Sequence, residues 1–174
     1  MQAAFELTSR GDTRRLGRAI AHCVAEGDLL IFEGDLGAGK TFLVRSIARG
    51  LGVPSDVPIT SPTFELVHEL PARVPLVHVD LYRLESSSAV QELGLEEHIG
   101  RKSVVIVEWG ERFFPTLGGE GIVLALSLDP SAENSSVRHC QITGHGPRGL
   151  ALMDRLEQRI ARAFPTQLRK SVAR

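Results

Sequence analysis

The sequence predicts an α/β domain built on a mixed sheet of about seven strands flanked by helices. Three observations predict it. The apolar run at residues 29–32 leads directly into a glycine-rich loop and then an amphipathic segment at residues 42–48, the order of a strand–loop–helix unit. A second apolar, β-branched run at residues 104–107 has the character of a central strand buried on both faces. Near the C-terminus, residues 122–128 and 137–143 read as a strand pair joined by the polar stretch 129–136.

The remaining elements follow in order. Residues 5–7 predict a short first strand. Leu16, Ala19, Ile20, Cys23 and Val24 recur at helical spacing, predicting a helix over 13–25 with Asp12 as N-cap and Gly27 as terminator. Gly50 and Gly52 are expected to end the helix after the glycine-rich loop. Residues 63–69 and 76–80 read as two strands, with Pro71 and Pro75 marking the turn between them. A helix is expected from Ser86 through about His98, with Ser88 and Gln91 at capping-box spacing. A last helix spans 150–161. The whole forms one domain over residues 1–164, followed by a basic tail, 165–174, expected to be disordered.

Composition narrows the function. The chain has 174 residues and a formal net charge of -1, so no global basic field argues for nucleic-acid or membrane binding. Cys23 and Cys140 lie far apart and in no metal or redox spacing, which suits small buried hydrophobes in a reducing cytoplasm. No stretch approaches the ~20 apolar residues of a membrane span, so a cytoplasmic location without membrane attachment is expected. Lysine occurs only at Lys40, Lys102 and Lys170, and Lys40 stands inside the glycine-rich loop.

That loop, Gly34-Asp35-Leu36-Gly37-Ala38-Gly39-Lys40-Thr41, fits G-x-x-x-x-G-K-[ST], the phosphate-binding P-loop. Glycines let the backbone curl so that successive N–H groups face one anion, and the following helix turns its positive end to the same point. Lys40 would reach the outer phosphates, the Thr41 hydroxyl would ligate Mg²⁺, and Asp35 through Phe42 would surround the nucleotide. A chance match in a chain of this length is below ~1%. The competing reading is a glycine-rich turn with a surface lysine.

A P-loop site also needs a carboxylate near the metal, usually at the end of a neighbouring strand. Glu108, at the tip of the run 104–107, is the better candidate, and Asp80, ending 76–80, is the second. Thr60-Ser61-Pro62-Thr63-Phe64 offers hydroxyls in the loop after the P-loop helix, where switch segments sense the γ-phosphate. His78 and Asp80 share one strand face, but two ligands make no metal site. The segment around residues 5–9 is a candidate for the adenine pocket. The Leu117-Gly118-Gly119-Glu120 stretch reads as a turn before a strand.

With these residues in place, the sequence resembles the TsaE family, bacterial ATPases needed to make threonylcarbamoyladenosine in tRNA. The resemblance rests on the P-loop, Thr60-Ser61-Pro62-Thr63-Phe64, His78-Val79-Asp80-Leu81-Tyr82-Arg83-Leu84, Glu92-Leu93-Gly94 and Val107-Glu108-Trp109. Their order and spacing match over residues 28–112. The resemblance implies Lys40 on the phosphates of ATP, and Thr41 with Glu108 on Mg²⁺. It implies Asp80 near the γ-phosphate, Thr63 in a switch-like loop, and Trp109 coupling the site to function. It implies an accessory ATPase, weak alone, acting on a complex of the TsaD transferase and its TsaB paralogue and reaching tRNA through that complex. Two departures stand out: Phe42 where the family often has a second hydroxyl residue, and Gly110 where it often has proline.

Other readings of the residues predict different outcomes. A small-molecule kinase would use the same loop, with Arg155, Arg159 and Arg162 as a phosphate-clamping lid. A guanine-specific switch would need an Asn-Lys-x-Asp segment, and all three lysines lack that context. A module that binds nucleotide without hydrolysis would act by differential affinity for two conformations.

Overall fold

The computed structural model describes residues 1–128 and 137–164. In chain order the elements are β1 (Gln2–Leu7), α1 (Arg10–Cys23), β2 (Leu29–Glu33), α2 (Lys40–Gly50), β3 (Val67–Leu70), β4 (Leu76–Asp80), α3 (Ser87–Gln91), β5 (Val104–Glu108), β6 (Gly121–Leu128), β7 (Arg138–His145) and α4 (Gly146–Ala163). Short 3₁₀ turns at Leu95–Glu97 and Glu111–Phe113 precede and follow β5. The strands form one 7-stranded sheet in the order β1-β7-β6-β2-β5-β4-β3. Its middle is parallel (β6, β2, β5, β4), and β3, β7 and β1 run antiparallel to their neighbours.

Strands in the parallel centre are covered on both faces, which explains the uniform apolar runs of β2 and β5. One face carries α1, α2 and α4, whose Leu16, Ile20, Leu43, Ile47, Leu152 and Leu156 pack with Leu30, Ile106 and Leu124 of the sheet. The other face buries Leu29, Ile31, Val77, Val79, Val105 and Val107 beneath Val90, Leu95, Phe113 and Leu117. Alternation along the strands therefore puts Leu76, His78 and Asp80 on the α2 side with Val104, Ile106 and Glu108.

Several element ends differ from expectation, each for a local reason. The N-cap of α1 is Ser9, whose Oγ accepts from the Asp12 amide at 3.1 Å. Asp12 reaches back, accepting from the Thr8 amide at 3.1 Å, the Thr8 hydroxyl at 2.8 Å and the Ser9 hydroxyl at 3.0 Å, a reciprocal cap. Burial pushes the Asp12 carboxyl up, but the Thr8 and Ser9 hydrogen bonds and the Arg15 charge outweigh it and hold it below its ordinary value. α2 ends where expected, with Gly50 its last residue and Gly52 following at φ 90. Gly50 also has a packing role: a Cβ there would stand 2.6 Å from the Ala21 Cβ, so its bare backbone lets α1 and α2 approach.

The strand expected over 63–69 is confined to Val67–Leu70, because Leu66 adopts φ 65 and turns the preceding residues out of line. The helix expected through His98 stops at Gln91, with Gly94 at φ 65 separating it from the 3₁₀ turn, and its cap is Ser86, accepting from the Ala89 amide. β1 and α4 start earlier than predicted. Both cysteines are free and buried, and burial pushes the Cys140 thiol up to about 12. No described helix is long and apolar enough to cross a membrane. The loop at 129–136 and the tail at 165–174 lie outside the described residues.

Candidate nucleotide site

The parallel register gathers the predicted residues at one edge of the sheet. In open α/β sheets the carboxyl ends of the strands form the ligand crevice. Here those ends belong to β2, β5 and β4. Phe32 is paired with Glu108, and Glu108 with Asp80, so the loop leaving β2 is brought next to both carboxylates.

The loop is held open by glycine at two points. Gly34 has φ 125, and a Cβ there would lie 2.0 Å from the Leu126 carbonyl oxygen, so β6 closes against bare backbone. Gly39, with φ 104, is the N-cap of α2 and provides no side-chain cap. The N–H groups of the first helical turn, beginning at Lys40, therefore lead the helix without partners inside it. They point out of the same end as the helix dipole, an arrangement that favours an anion.

Lys40 is buried at 5% exposure. Its ammonium donates to the Gly34 and Asp35 carbonyls at 2.5 and 3.0 Å and lies 3.6 Å from the centre of the Trp109 ring. Burial lowers its affinity for the proton, and the negative charges of Glu108, Glu111, Asp80 and Asp35 partly restore it. Trp109 takes φ 60 directly after β5 and packs on Tyr82, ring centres 5.0 Å apart. A positive φ in a bulky residue is costly, and the surrounding contacts must impose it.

The Thr41 hydroxyl donates to Glu108 Oε2 at 2.9 Å. Glu108 Oε1 is 2.9 Å from His78 Nε2, and both side chains are buried. Asp80 Oδ2 accepts from the Ser61 hydroxyl and, at 2.9 Å, from the Thr63 hydroxyl, while Oδ1 accepts from the Tyr82 amide at 2.9 Å. The Thr60–Phe64 segment is thus tied down onto β4. Arg45 of α2 holds the residue that leads into it, donating to the Ile59 carbonyl at 3.0 Å.

Lys40, Thr41, Thr63, Asp80, Glu108 and Trp109 line a cavity of about 370 Å³, and Leu36, Gly37, Gly39 and Phe42 extend it. Asp35 contributes its carbonyl to Lys40, and Ala38 faces a second cavity of about 380 Å³ that shares Gly37, Gly39 and Phe42 with the first. That second cavity is lined by Leu7, Ser9, Arg10 and Arg138, so two residues of the segment 5–9 border it. Phe5 is instead in the core, stacked on Phe164 at 5.3 Å. Among the described residues no group of three or more His, Cys, Asp or Glu side chains is arranged to hold a metal unaided. The donor set of one hydroxyl and one carboxylate still fits Mg²⁺, which keeps several waters and takes further oxygens from phosphates.

Sequence reasoning missed His78, Tyr82 and Arg45 as parts of the site. A histidine inside an otherwise apolar strand was a signal for the first. The other two show only once β4 and the loop before β3 are folded together.

Three comparisons with known proteins agree. Residues 7–138 match the family described as threonylcarbamoyl adenosine biosynthesis protein TsaE. The chain is 40% identical over 139 residues to a tRNA threonylcarbamoyladenosine biosynthesis protein TsaE from Streptomyces coelicolor, covering 78% of this chain and 92% of that one. It is 36% identical to the protein of the same name from Treponema pallidum, over 69% of this chain and 87% of the relative. The crystal structure of YdiB from Bacillus subtilis superposes with a TM-score of 0.74 at 27% identity, covering 91% of this chain and 95% of that one.

Proposed function

We infer a reaction from one premise: this chain belongs to the TsaE family. It binds nucleotide and serves the biosynthesis of threonylcarbamoyladenosine in tRNA. The finer reading is that it hydrolyses ATP in the Lys40–Glu108 cleft as an accessory to a TsaB–TsaD transferase complex, through which it acts on tRNA. The observation that carries this reading is the Thr41–Glu108 hydrogen bond of 2.9 Å beside Lys40 at the open end of α2.

The residues divide the work. The leading amides of α2 and the Lys40 ammonium receive the phosphates, Lys40 exchanging loop carbonyls for phosphate oxygens. Thr41 and Glu108 would hold Mg²⁺, which neutralises charge developing on the transferred phosphoryl group. Glu108 keeps Thr41 oriented through its Oε2. Asp80 is bonded to the hydroxyl loop while Thr41 is bonded to Glu108, which favours Asp80 as the carboxylate that orients the attacking water, trading a Ser61 or Thr63 hydroxyl for it. The cavity beyond Phe42 takes the ribose and base. Leu36 and Tyr82 line the cavity and are exposed at 81% and 55%, and Phe64, next in the chain to Thr63, is exposed at 86%, an apolar surface suited to a protein partner that closes the site.

The kinase reading loses one of its three lid arginines: Arg155 donates to Asp28 at 2.7 Å and to the Cys23 carbonyl at 2.8 Å, tying α4 to the end of α1. Phosphate release from ATP, measured with this chain alone and with TsaB, TsaD and tRNA, tests the proposal. Strong stimulation by the complex, abolished by Lys40→Ala, is expected. Full tRNA modification by Lys40→Ala with its partners would overturn it.

A further inference from the structure

We propose that His78 is a positioning residue for Glu108, fixing the carboxylate in the one orientation that serves Thr41 and the metal. The inference rests on the reading of Glu108 as the metal-side carboxylate.

His78 is 0% exposed, in the middle of β4 between Leu76 and Asp80 on the α2 face of the sheet. A packing account alone would put an aliphatic side chain there, as at Leu76 and Val79. The histidine also carries a cost: among the described residues its Nδ1 has no hydrogen-bond partner, a rare condition for a buried polar atom. What offsets that cost is the other nitrogen. A carboxylate only accepts, so His78 Nε2–H donates to Glu108 Oε1 at 2.9 Å. Thr41 occupies Oε2 at the same distance, 2.9 Å.

The two donors approach Glu108 from different elements, Thr41 from α2 and His78 from β4. Without His78 the carboxylate would lose its anchor on the sheet side, leaving Thr41 alone to hold it against Asp80, its direct partner in the strand register. An outer partner that orients a metal-side carboxylate typically changes metal affinity about 10–100-fold when removed. Neither His78 nor its bond touches the phosphate cradle, so nucleotide binding without metal should be indifferent to it.

The experiment measures affinity for a fluorescent N-methylanthraniloyl ATP, with Mg²⁺ and with EDTA, in the full chain. In His78→Leu the gain in affinity conferred by Mg²⁺ is expected to fall about tenfold, with binding in EDTA unchanged. His78→Gln, whose amide N–H can replace Nε2–H, is expected to restore most of the gain. If His78→Leu does not fold, His78→Asn, too short to reach Oε1, is read by the same criteria. A wild-type Mg²⁺ gain in the variant, or an equal loss with and without Mg²⁺ that glutamine does not repair, overturns the proposal. Glu108→Gln separates the two levels: if it too leaves the Mg²⁺ gain intact, the reading of Glu108 itself fails, whereas a loss there with none in His78→Leu sinks only the role of His78.

Discussion

Asp80 and Glu108 stand directly opposite each other in the parallel pairing of β4 and β5, yet they share no hydrogen-bond partner among the described residues. Each is buried at 2% exposure. Like charges facing across a sheet are unfavourable, and the surrounding donors separate them: Ser61, Thr63 and the Tyr82 amide attend Asp80, and Thr41 and His78 attend Glu108. Two neighbouring carboxylates are thereby given different surroundings, which is how one site assigns them different tasks.

That division predicts opposite kinetic signatures. Asp80→Asn should slow hydrolysis by about 100-fold while leaving nucleotide affinity within about threefold, since only water orientation is lost. Single-turnover hydrolysis and equilibrium binding measured on the same preparation check this. A large loss of affinity with little loss of rate would reverse the assignment.

The Lys40 ammonium lies 3.6 Å from the Trp109 ring centre, and the chain has a single tryptophan. A nucleotide that draws Lys40 onto phosphate removes the cation from the indole face and changes its surroundings. Intrinsic fluorescence should therefore shift on adding ATP, and the shift should vanish in Lys40→Ala. A saturating nucleotide signal that survives Lys40→Ala would show that the indole reports on something other than this contact.

Gly34→Ala places a methyl 2.0 Å from the Leu126 carbonyl oxygen at φ 125. Both the contact and the backbone conformation oppose it, and a loss of more than ~2 kcal/mol is expected. Chemical denaturation measures it. Gly37→Ala meets no atom of the described residues within 4 Å, so its cost should be confined to its positive φ of 83 and be the smaller of the two.

The Asp12 cap makes a signed prediction in acid. Its folded pKa lies below the ordinary value of 3.8, so its contribution to stability is fully present above that value. It is lost as pH falls through the folded pKa. Asp12→Asn should be less stable by roughly 1 kcal/mol at neutral pH, and the difference should shrink below the ordinary carboxyl range. Urea midpoints for both proteins down to pH 3, on the order of the range where native carboxylates protonate, test the sign. A gap that widens in acid would contradict it.

Much of this was legible because the chemistry demands particular residues at fixed spacing. The loop from Gly34 to Thr41 could be read directly, and Glu108 and Asp80 stood out as acids ending apolar runs. Positions that depend on tertiary contact were not legible. Leu66 turns with φ 65, so the alternation of residues 63–66 resembled a strand although the backbone leaves the sheet to reach Asp80. Gly50 was legible as the end of α2, but its packing against Ala21 is invisible along the chain. His78 meets Glu108 across 30 residues of sequence, and no local pattern encodes that pairing.

The first strand of the sheet is completed by the last. Among the described strands β1 bonds only to β7, from Gln2 opposite Thr143 to Leu7 opposite Arg138, and the Gly144 amide closes on the Met1 carbonyl at 3.0 Å. During synthesis β1 therefore emerges well before the strand it pairs with, since every other strand of the sheet lies between them in the chain. Phe5 must also wait for Phe164 to form its stack. Domains fold as units when such distant segments close the structure, so a nascent chain halted before β7 would hold its phosphate loop without the sheet edge that finishes the fold.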